Sequence, residues 1–286
     1  MPEAERGAMI AQLEDIDPEH INGLFKRTLE WKPPTGSVFS PLDDVAPLAG
    51  TTEERAKWRA AGLEAIAAGK VGTLLLAGGQ GSRLGYDHPK GMYDIGLPSG
   101  RSLFALQAAK LLKLQQIAAA SAGKDSATIY WYIMTSPATD AETRANFVEN
   151  KHFGLEESQV FFFCQGMLPA VSNEGKILLE SASSVCMAPN GNGGLYEGLE
   201  KSGALKHMED HGVEFIPQYC VDNALVKIAD PVFVGFCAST GAECGAKVSG
   251  RESVSLPVRH TLCRYGVSCR EGCACIGSPP CTVHSV

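Results

Sequence analysis

Residues 71–107 read VGTLLLAGGQGSRLGYDHPKGMYDIGLPSGRSLFALQ, and the fold turns on how this stretch is parsed. The run 71–77 is short, apolar and closed by glycine. That is the pattern of a strand buried on both faces, as in parallel sheets. Gly78, Gly79 and Gly81 follow directly. Glycine admits positive φ and lets backbone N–H groups come close to a phosphate. Arg83 adds a charged fork suited to phosphate oxygens. Two common phosphate loops do not fit. A Walker loop ends in Gly-Lys-Ser/Thr, and the dinucleotide fingerprint needs Gly or Ala where Leu84 stands. Taken alone, the glycines are also compatible with a tight strand-to-helix turn. Pro89 and Lys90 then follow within a few residues. Proline stiffens the approach to Lys90, and a lysine on a rigid loop beside an anion-binding turn is suited to clamp phosphate.

On the N-terminal side, residues 1–70 read as mostly helical, with helix formers and helical apolar spacing over 3–16 and 52–69. The Pro- and Gly-rich 31–50 between them reads as an extended loop. On the C-terminal side, strands and helices alternate. SLFALQAAKLLKLQQIAAAS (102–121) predicts a helix with Ser102 as N-cap; Leu103, Leu106, Leu114 and Ile117 share a face on which Lys110 is the single intruder. Strands are expected over 129–136, 158–166, 176–181 and, with a turn, 213–225, and helices over 138–151 and 193–212. This alternation predicts an α/β fold with a mostly parallel sheet flanked by helices. Ligands of such sheets sit beyond the carboxyl ends of the strands, so functional residues are expected just after each strand.

Composition narrows the function classes. The chain has 286 residues, 44% of them hydrophobic, enough for one large domain or two modest ones. A net charge of −7 without a basic stripe argues against nucleic acid as partner. No apolar run is long enough to span a membrane. The charged N-terminus lacks the apolar core of a secretory signal, so the expected compartment is the cytoplasm. Of ten cysteines, Cys164, Cys186, Cys220, Cys237 and Cys244 stand in apolar surroundings and read as buried free thiols.

The stretch LLLAGGQGSRLGYDHPKGMYDIGLPSGRSLFALQ closely resembles the eukaryotic UDP-N-acetylglucosamine pyrophosphorylases, whose signature is Leu-X-X-Gly-Gly-X-Gly-Thr-Arg-Leu-Gly followed by Pro-Lys. Ser82 replaces the usual threonine and keeps the hydroxyl. The likeness continues through WYIMTS, FFFCQGMLPAV, MAPNGNGGLYEGL, VEFIPQYCVDNALVKIADPVFVGFC and GAECGAKV, from roughly residue 45 to Val248. The related UDP-glucose enzymes carry Lys-Leu-Asn-Gly-Gly in the loop, so LLLAGGQG points to the N-acetylhexosamine branch. The resemblance implies a Rossmann-like nucleotidyltransferase (GT-A-like) domain that joins UTP and an N-acetylhexosamine 1-phosphate. Ala77, Gly78 and Gly79 would then wrap the nucleotide through their backbone. Gln165 would read the uracil edge, and Gly191, Gly193 and Gly194 would contact the uridine. Asp222 would coordinate Mg²⁺, with Asn223 a weaker candidate beside it. Arg83 and Lys90 would neutralise the phosphates during in-line attack. Each also has a plain structural reading: a strand-end turn for Gln165, an Asn-Gly turn at 190–191, a helix cap or turn for Asp222, a solvated surface lysine for Lys90.

Beyond Val248 the expected likeness stops. Three segments are therefore expected: a helical 1–70, a nucleotide-binding 71–248 whose sheet is incomplete at its C-terminal side, and a Cys-rich tail at 249–286. The tail carries Cys263, Cys269, Cys273, Cys275 and Cys281, with His260 and His284. A metal site lacks the paired Cys-X2-Cys knuckles of zinc modules, and a disulfide framework is at odds with a reducing compartment. Out-of-family sequence, disordered or loosely packed, is the expected reading. A sheet cut short would leave an open strand edge. Catalysis by a working uridylyltransferase is thus one expectation, and a non-catalytic UTP-binding fragment is the alternative.

Overall fold

Helices and strands alternate as the sequence predicts. The helices are α1 (Glu3–Glu14), α2 (Pro18–Glu30), α3 (Thr52–Ala67), α4 (Leu103–Ala122), α5 (Asp140–Glu149), α6 (Gly194–Lys201), α7 (Ala204–Asp210) and α8 (Pro231–Thr240). The strands are β1 (Gly72–Leu76), β2 (Tyr130–Thr135), β3 (Val160–Cys164), β4 (Met167–Pro169), β5 (Leu179–Ser181), β6 (Ser184–Val185), β7 (Met187–Pro189), β8 (Phe215–Cys220), β9 (Cys244–Lys247) and β10 (Arg264–Ser268). The structure, a computed structural model, describes residues 2–32, 50–247 and 264–268. Residues 33–49 of the loop expected over 31–50, the five C-terminal cysteines, His260 and His284 lie outside the described residues. Among the described residues, no helix is long and apolar enough to cross a membrane.

The chain forms two compact units, each discontinuous in sequence: Met1–Ala46 with Gln165–Glu197, and Pro47–Cys164 with Gly198–Val286. The second holds a six-stranded sheet in the order β3-β2-β1-β8-β10-β9. β3, β2, β1 and β8 are parallel. β10 is antiparallel to both β8 and β9. β1, β2 and β3 are laid down in one direction, and β8 then pairs with the other side of β1. The order therefore reverses between β1 and β8, which opens a crevice at the carboxyl ends of those strands.

β1 is buried at every residue, as its unbroken apolar run requires of a central strand. Beneath the sheet, Phe104, Trp131, Phe147, Ile66, Leu75 and Leu111 form a core of fully buried side chains. α3 and α8 cross with almost no gap: a Cβ on Gly62 would stand 1.9 Å from the Pro231 carbonyl oxygen, and one on Gly235 1.7 Å from that of Trp58. In the first unit, Ile16, Ile21 and Val185 form a small core joined by Met9, Leu24, Leu168 and Met187. Gln12 Oε1 accepts a 3.0 Å bond from the Val185 amide and ties α1 to β6.

Four expectations are corrected. The buried face of α4 is Leu103, Phe104, Gln107, Ala108, Leu111, Ala118 and Ala119; Leu106, Leu114 and Ile117 flank it. The buried face mixes large and small residues and includes a glutamine, whereas reading by leucine alone rotated the face. Lys110 is exposed and interrupts no core stripe. The helix over 193–212 is two, α6 and α7, broken where Gly203 takes φ 78°. Of the five cysteines read as buried, Cys237 is buried and Cys186 half-buried, but Cys164, Cys220 and Cys244 are exposed, because the first two of these close strands and the third opens one. Finally, Arg264–Ser268, within the tail read as unstructured, form β10 and cover the edge of β8 expected to be open. Tyr265 and Val267 do alternate with Arg264, Gly266 and Ser268, but five residues are too few to stand out as a period.

Candidate functional site

The turn after β1 is a loop with a paired neck. The Ala77 amide donates to the Met134 carbonyl at 2.8 Å, continuing the strand pairing. Ser136 Oγ donates to the Gly78 carbonyl at 2.8 Å, and Ser136 is itself held by Thr139. The Gly81 amide donates to the His88 carbonyl at 2.9 Å, and the Lys90 amide to the Gly79 carbonyl at 3.2 Å. Gln80 and Pro89 thus pair as an isolated antiparallel bridge. Between them lies a 3-10 turn, Ser82–Leu84, closed by Gly85 at φ 66°. Among the described residues, the amides of Gly78, Gly79 and Gln80 donate to no protein acceptor. Free N–H groups that point from a glycine turn form an anion-binding concavity.

Lys90 lies across this turn. Its Nζ and Cε are each 3.6 Å from where a Cβ on Gly79 would be. The return arm is fixed from below and from the side. Gly91 rests on the Phe104 ring, and His88 Nδ1 meets the Glu142 carboxylate of α5. Tyr86 packs against His88 at 5.0 Å and Tyr93 at 5.3 Å. Arg83 has its backbone in the 3-10 turn; its side chain lies outside the described residues.

β8 brings the second charge. The Val221 amide donates to the Leu76 carbonyl at 3.1 Å, so β1 and β8 stay paired to their ends. Asp222 follows at once and is exposed, whereas Asn223 is buried. The Cys220 thiol registers both charges: desolvation at the strand end pushes its pKa up, the Asp222 carboxylate raises it further, and the Lys90 ammonium opposes them. Gly78, Gly79, Lys90 and Asp222 are thus gathered at the carboxyl ends of β1 and β8, where the strand order reverses. Among the described residues no three His, Cys, Asp or Glu side chains converge as a protein-built metal cage. A single exposed carboxylate suits Mg²⁺, which keeps most of its waters and takes one or two carboxylates plus substrate phosphates.

The remaining sequence candidates lie in the first unit. Gln165 is 9% exposed, and its side chain has no hydrogen bond among the described residues. Gly191 takes φ 73°, and Gly194 opens α6. A Cβ on Gly194 would stand 1.7 Å from Asn190 Oδ1. Asn190, read in the sequence only as part of a turn, organises this segment. Its amide donates to the Gly166 carbonyl at 3.1 Å and its Nδ2 to Glu197 Oε2 at 3.3 Å. Its Oδ1 is buried without a partner among the described residues. Ala77 is buried, with its amide already engaged.

A family model described as UTP--glucose-1-phosphate uridylyltransferase matches residues 30–267 of this chain. The chain belongs to that family. The match runs past Val248 and reaches into β10, the strand that pairs with β8. Within the family, the UDP-N-acetylhexosamine pyrophosphorylase-like protein 1 of Mus musculus is 50% identical over 271 residues, 90% of this chain and 52% of the relative. The UDP-N-acetylglucosamine pyrophosphorylase of Saccharomyces cerevisiae is 44% identical over 230 residues, 78% of this chain and 47% of the relative. A crystal structure of the uridine diphosphate N-acetylglucosamine pyrophosphorylase from Trypanosoma brucei superposes with a TM-score of 0.77 at 33% identity, covering 88% of this chain and 53% of that one. The chain spans about half the length of the curated relatives it matches. The nucleotidyltransferase fold and the N-acetylated-sugar branch expected from LLLAGGQG agree with these relatives.

Proposed function

We propose that this chain carries the nucleotide site of a cytoplasmic uridylyltransferase that forms UDP-N-acetylglucosamine and pyrophosphate from UTP and N-acetylglucosamine 1-phosphate. One observation carries the reading. In a chain of this family, the Lys90 ammonium lies across a glycine turn with free amides, at the strand ends where Asp222 also emerges. Cys164, Cys186, Cys220 and Cys237 are free thiols, which accords with a reducing compartment.

The chemistry follows from charge. An oxygen of the sugar phosphate attacks the α-phosphorus of UTP. The new P–O bond forms as the bond to the β-phosphate bridging oxygen breaks, and that electron pair leaves with pyrophosphate. Two polyanions must meet, so their repulsion has to be offset. The Gly78 and Gly79 amides and the Lys90 ammonium take phosphate oxygens, and Arg83 supplies a second cation from the same loop. Asp222 would hold Mg²⁺ together with phosphate oxygens; the ion, when bound, neutralises charge on the departing pyrophosphate. No covalent intermediate is needed, because positioning and electrostatics supply the acceleration. By the resemblance of these motifs, Gln165 would take the uracil edge and Gly191, Gly193 and Gly194 would line the uridine, with residues 71–248 as the nucleotide-binding segment.

The test is pyrophosphate release by purified chain with UTP, Mg²⁺ and N-acetylglucosamine 1-phosphate. Turnover that depends on the sugar phosphate and falls about 10²- to 10³-fold in Lys90→Ala supports the reading, by analogy with loss of an oxyanion donor. UTP binding without turnover would assign this chain as a non-catalytic nucleotide-binding segment. Absence of both refutes the proposal.

A further inference from the structure

Lys110 is an exposed residue on α4, but its ammonium is not simply solvated. Nζ donates to the Ala224 carbonyl at 2.7 Å and to the Val226 carbonyl at 3.2 Å. One turn earlier on the same helix, Gln107 is 1% exposed, and its Nε2 donates to the Val221 carbonyl at 3.2 Å. Residues three apart share a helix face. One face of α4 therefore takes three carbonyls of the segment 221–226, which carries Asp222 and Asn223.

The buried side chains of Val221 and Val226 set the two ends of that segment in the main core, and the hydrogen bonds from α4 to its carbonyls hold the backbone. Its own bonds are local: Asn223 N–H to the Cys220 carbonyl at 3.1 Å, Ala224 to Asp222 at 3.0 Å, Val226 to Asn223 at 3.1 Å. Leu225 at its tip is 80% exposed. Hydrogen bonds from a charged donor are roughly twice as strong as neutral ones. A lysine that binds two carbonyls gives up much of its rotamer freedom to do so. Solubility asks for no such arrangement.

We propose that Lys110, with Gln107 beside it, is a positioning residue: it braces the 221–226 turn so that Asp222 is held ready for the divalent cation of a bound nucleotide. This rests on the functional reading above. Gln107 fixes the turn where it leaves β8, and Lys110 fixes it at Ala224 and Val226. Asp222 lies between the two anchors.

Two measurements on the full chain test it, with Lys110→Met removing the donor and Lys110→Arg keeping one. Amide hydrogen exchange should rise about tenfold at Asn223, Ala224 and Val226 in Lys110→Met, the effect of losing one charge-assisted bond. The β8 amides should be unchanged, and Lys110→Arg should restore most of the protection. The Mg²⁺ concentration needed for half-maximal UTP binding should rise about five- to tenfold in Lys110→Met, while binding of UTP in EDTA is unchanged. Unchanged exchange in the turn overturns the inference. So does a loosened turn with an unaltered Mg²⁺ requirement, provided the wild-type chain binds UTP with Mg²⁺. If the wild-type chain shows no Mg²⁺-dependent UTP binding, the functional reading falls and takes this inference with it.

Discussion

Replacing Gly91 by alanine asks whether the core beneath the Lys90 loop sets the position of that lysine. A Cβ at residue 91 would stand 2.0 Å from Phe104 Cζ and 2.3 Å from both Cε atoms. Carbon atoms in contact sit about 3.5–4.0 Å apart, so ring and loop must separate by about 1.5 Å. The ring has nowhere to go. Phe104 is fully buried and meets Phe147 edge-on at 5.1 Å; Phe147 is wedged in turn against Trp131 and Phe162. Interiors packed to this density have few voids to receive a displaced side chain. The loop must yield instead, and with it Lys90. Overpacking of this kind costs about 1–3 kcal/mol. Loss of glycine's freedom in the unfolded chain returns about 0.4–1 kcal/mol. The net loss is about 1–2 kcal/mol, roughly a five- to thirtyfold shift in the unfolding equilibrium. Urea denaturation should show a lower midpoint at unchanged slope, and UTP affinity should fall with it. Phe104→Leu opens room under residue 91, so the double variant should lose about 1 kcal/mol less than the sum of the two single variants. A Gly91→Ala chain with the wild-type midpoint and wild-type UTP affinity would refute the reasoning.

Gly235→Ala should be worse, because the new Cβ meets the Trp58 carbonyl backbone at 1.7 Å and neither helix can move without parting α3 from α8; a loss above about 3 kcal/mol is expected, read as a thermal midpoint well below wild type or failure to accumulate folded protein. Gly23→Ala in α2 provides the contrast: nothing lies within 4 Å of its Cβ position, and the helix should gain about 0.5–1 kcal/mol. A pH effect is expected at His207, whose ring is bonded to Tyr132 Oη at 3.0 Å, stacked on His211 at 4.1 Å and flanked by Tyr130, Phe161 and Asp210. Burial first, and the neighbouring imidazole second, hold its pKa below the ordinary value. The unfolded chain therefore takes up the proton first as pH falls, and stability present above about pH 6.5 is lost below it. The drop in urea midpoint between about pH 7.5 and about pH 5.5 should be smaller in His207→Gln than in wild type; an equal drop in both would remove His207 from the account.

Much of this protein is legible in residues 71–107. The apolar run of β1 and the glycines after it determine a buried strand followed by a tight glycine turn, because backbone sterics and local hydrophobicity act over a few residues. The family likeness is written in the same motifs. What the sequence could not decide depends on partners far along the chain. Which face of α4 is buried depends on what packs against it, and that face includes Phe104, Gln107 and alanines as well as leucines. Lys110 looks like a misplaced charge in the helix pattern and becomes intelligible only when the carbonyls of Ala224 and Val226, more than a hundred residues later, are brought to it. Asn190 reads as a turn residue until Gly166 and Glu197 close around it. β10 is too short to be seen as a period, and it is a strand because β8 and β9 supply its partners. Local chemistry thus determined the loop and the strand that carries it. Only the tertiary structure decided what holds that loop, and what holds the Asp222 turn beside it, since those restraints are hydrogen bonds and contacts between residues that no local pattern connects.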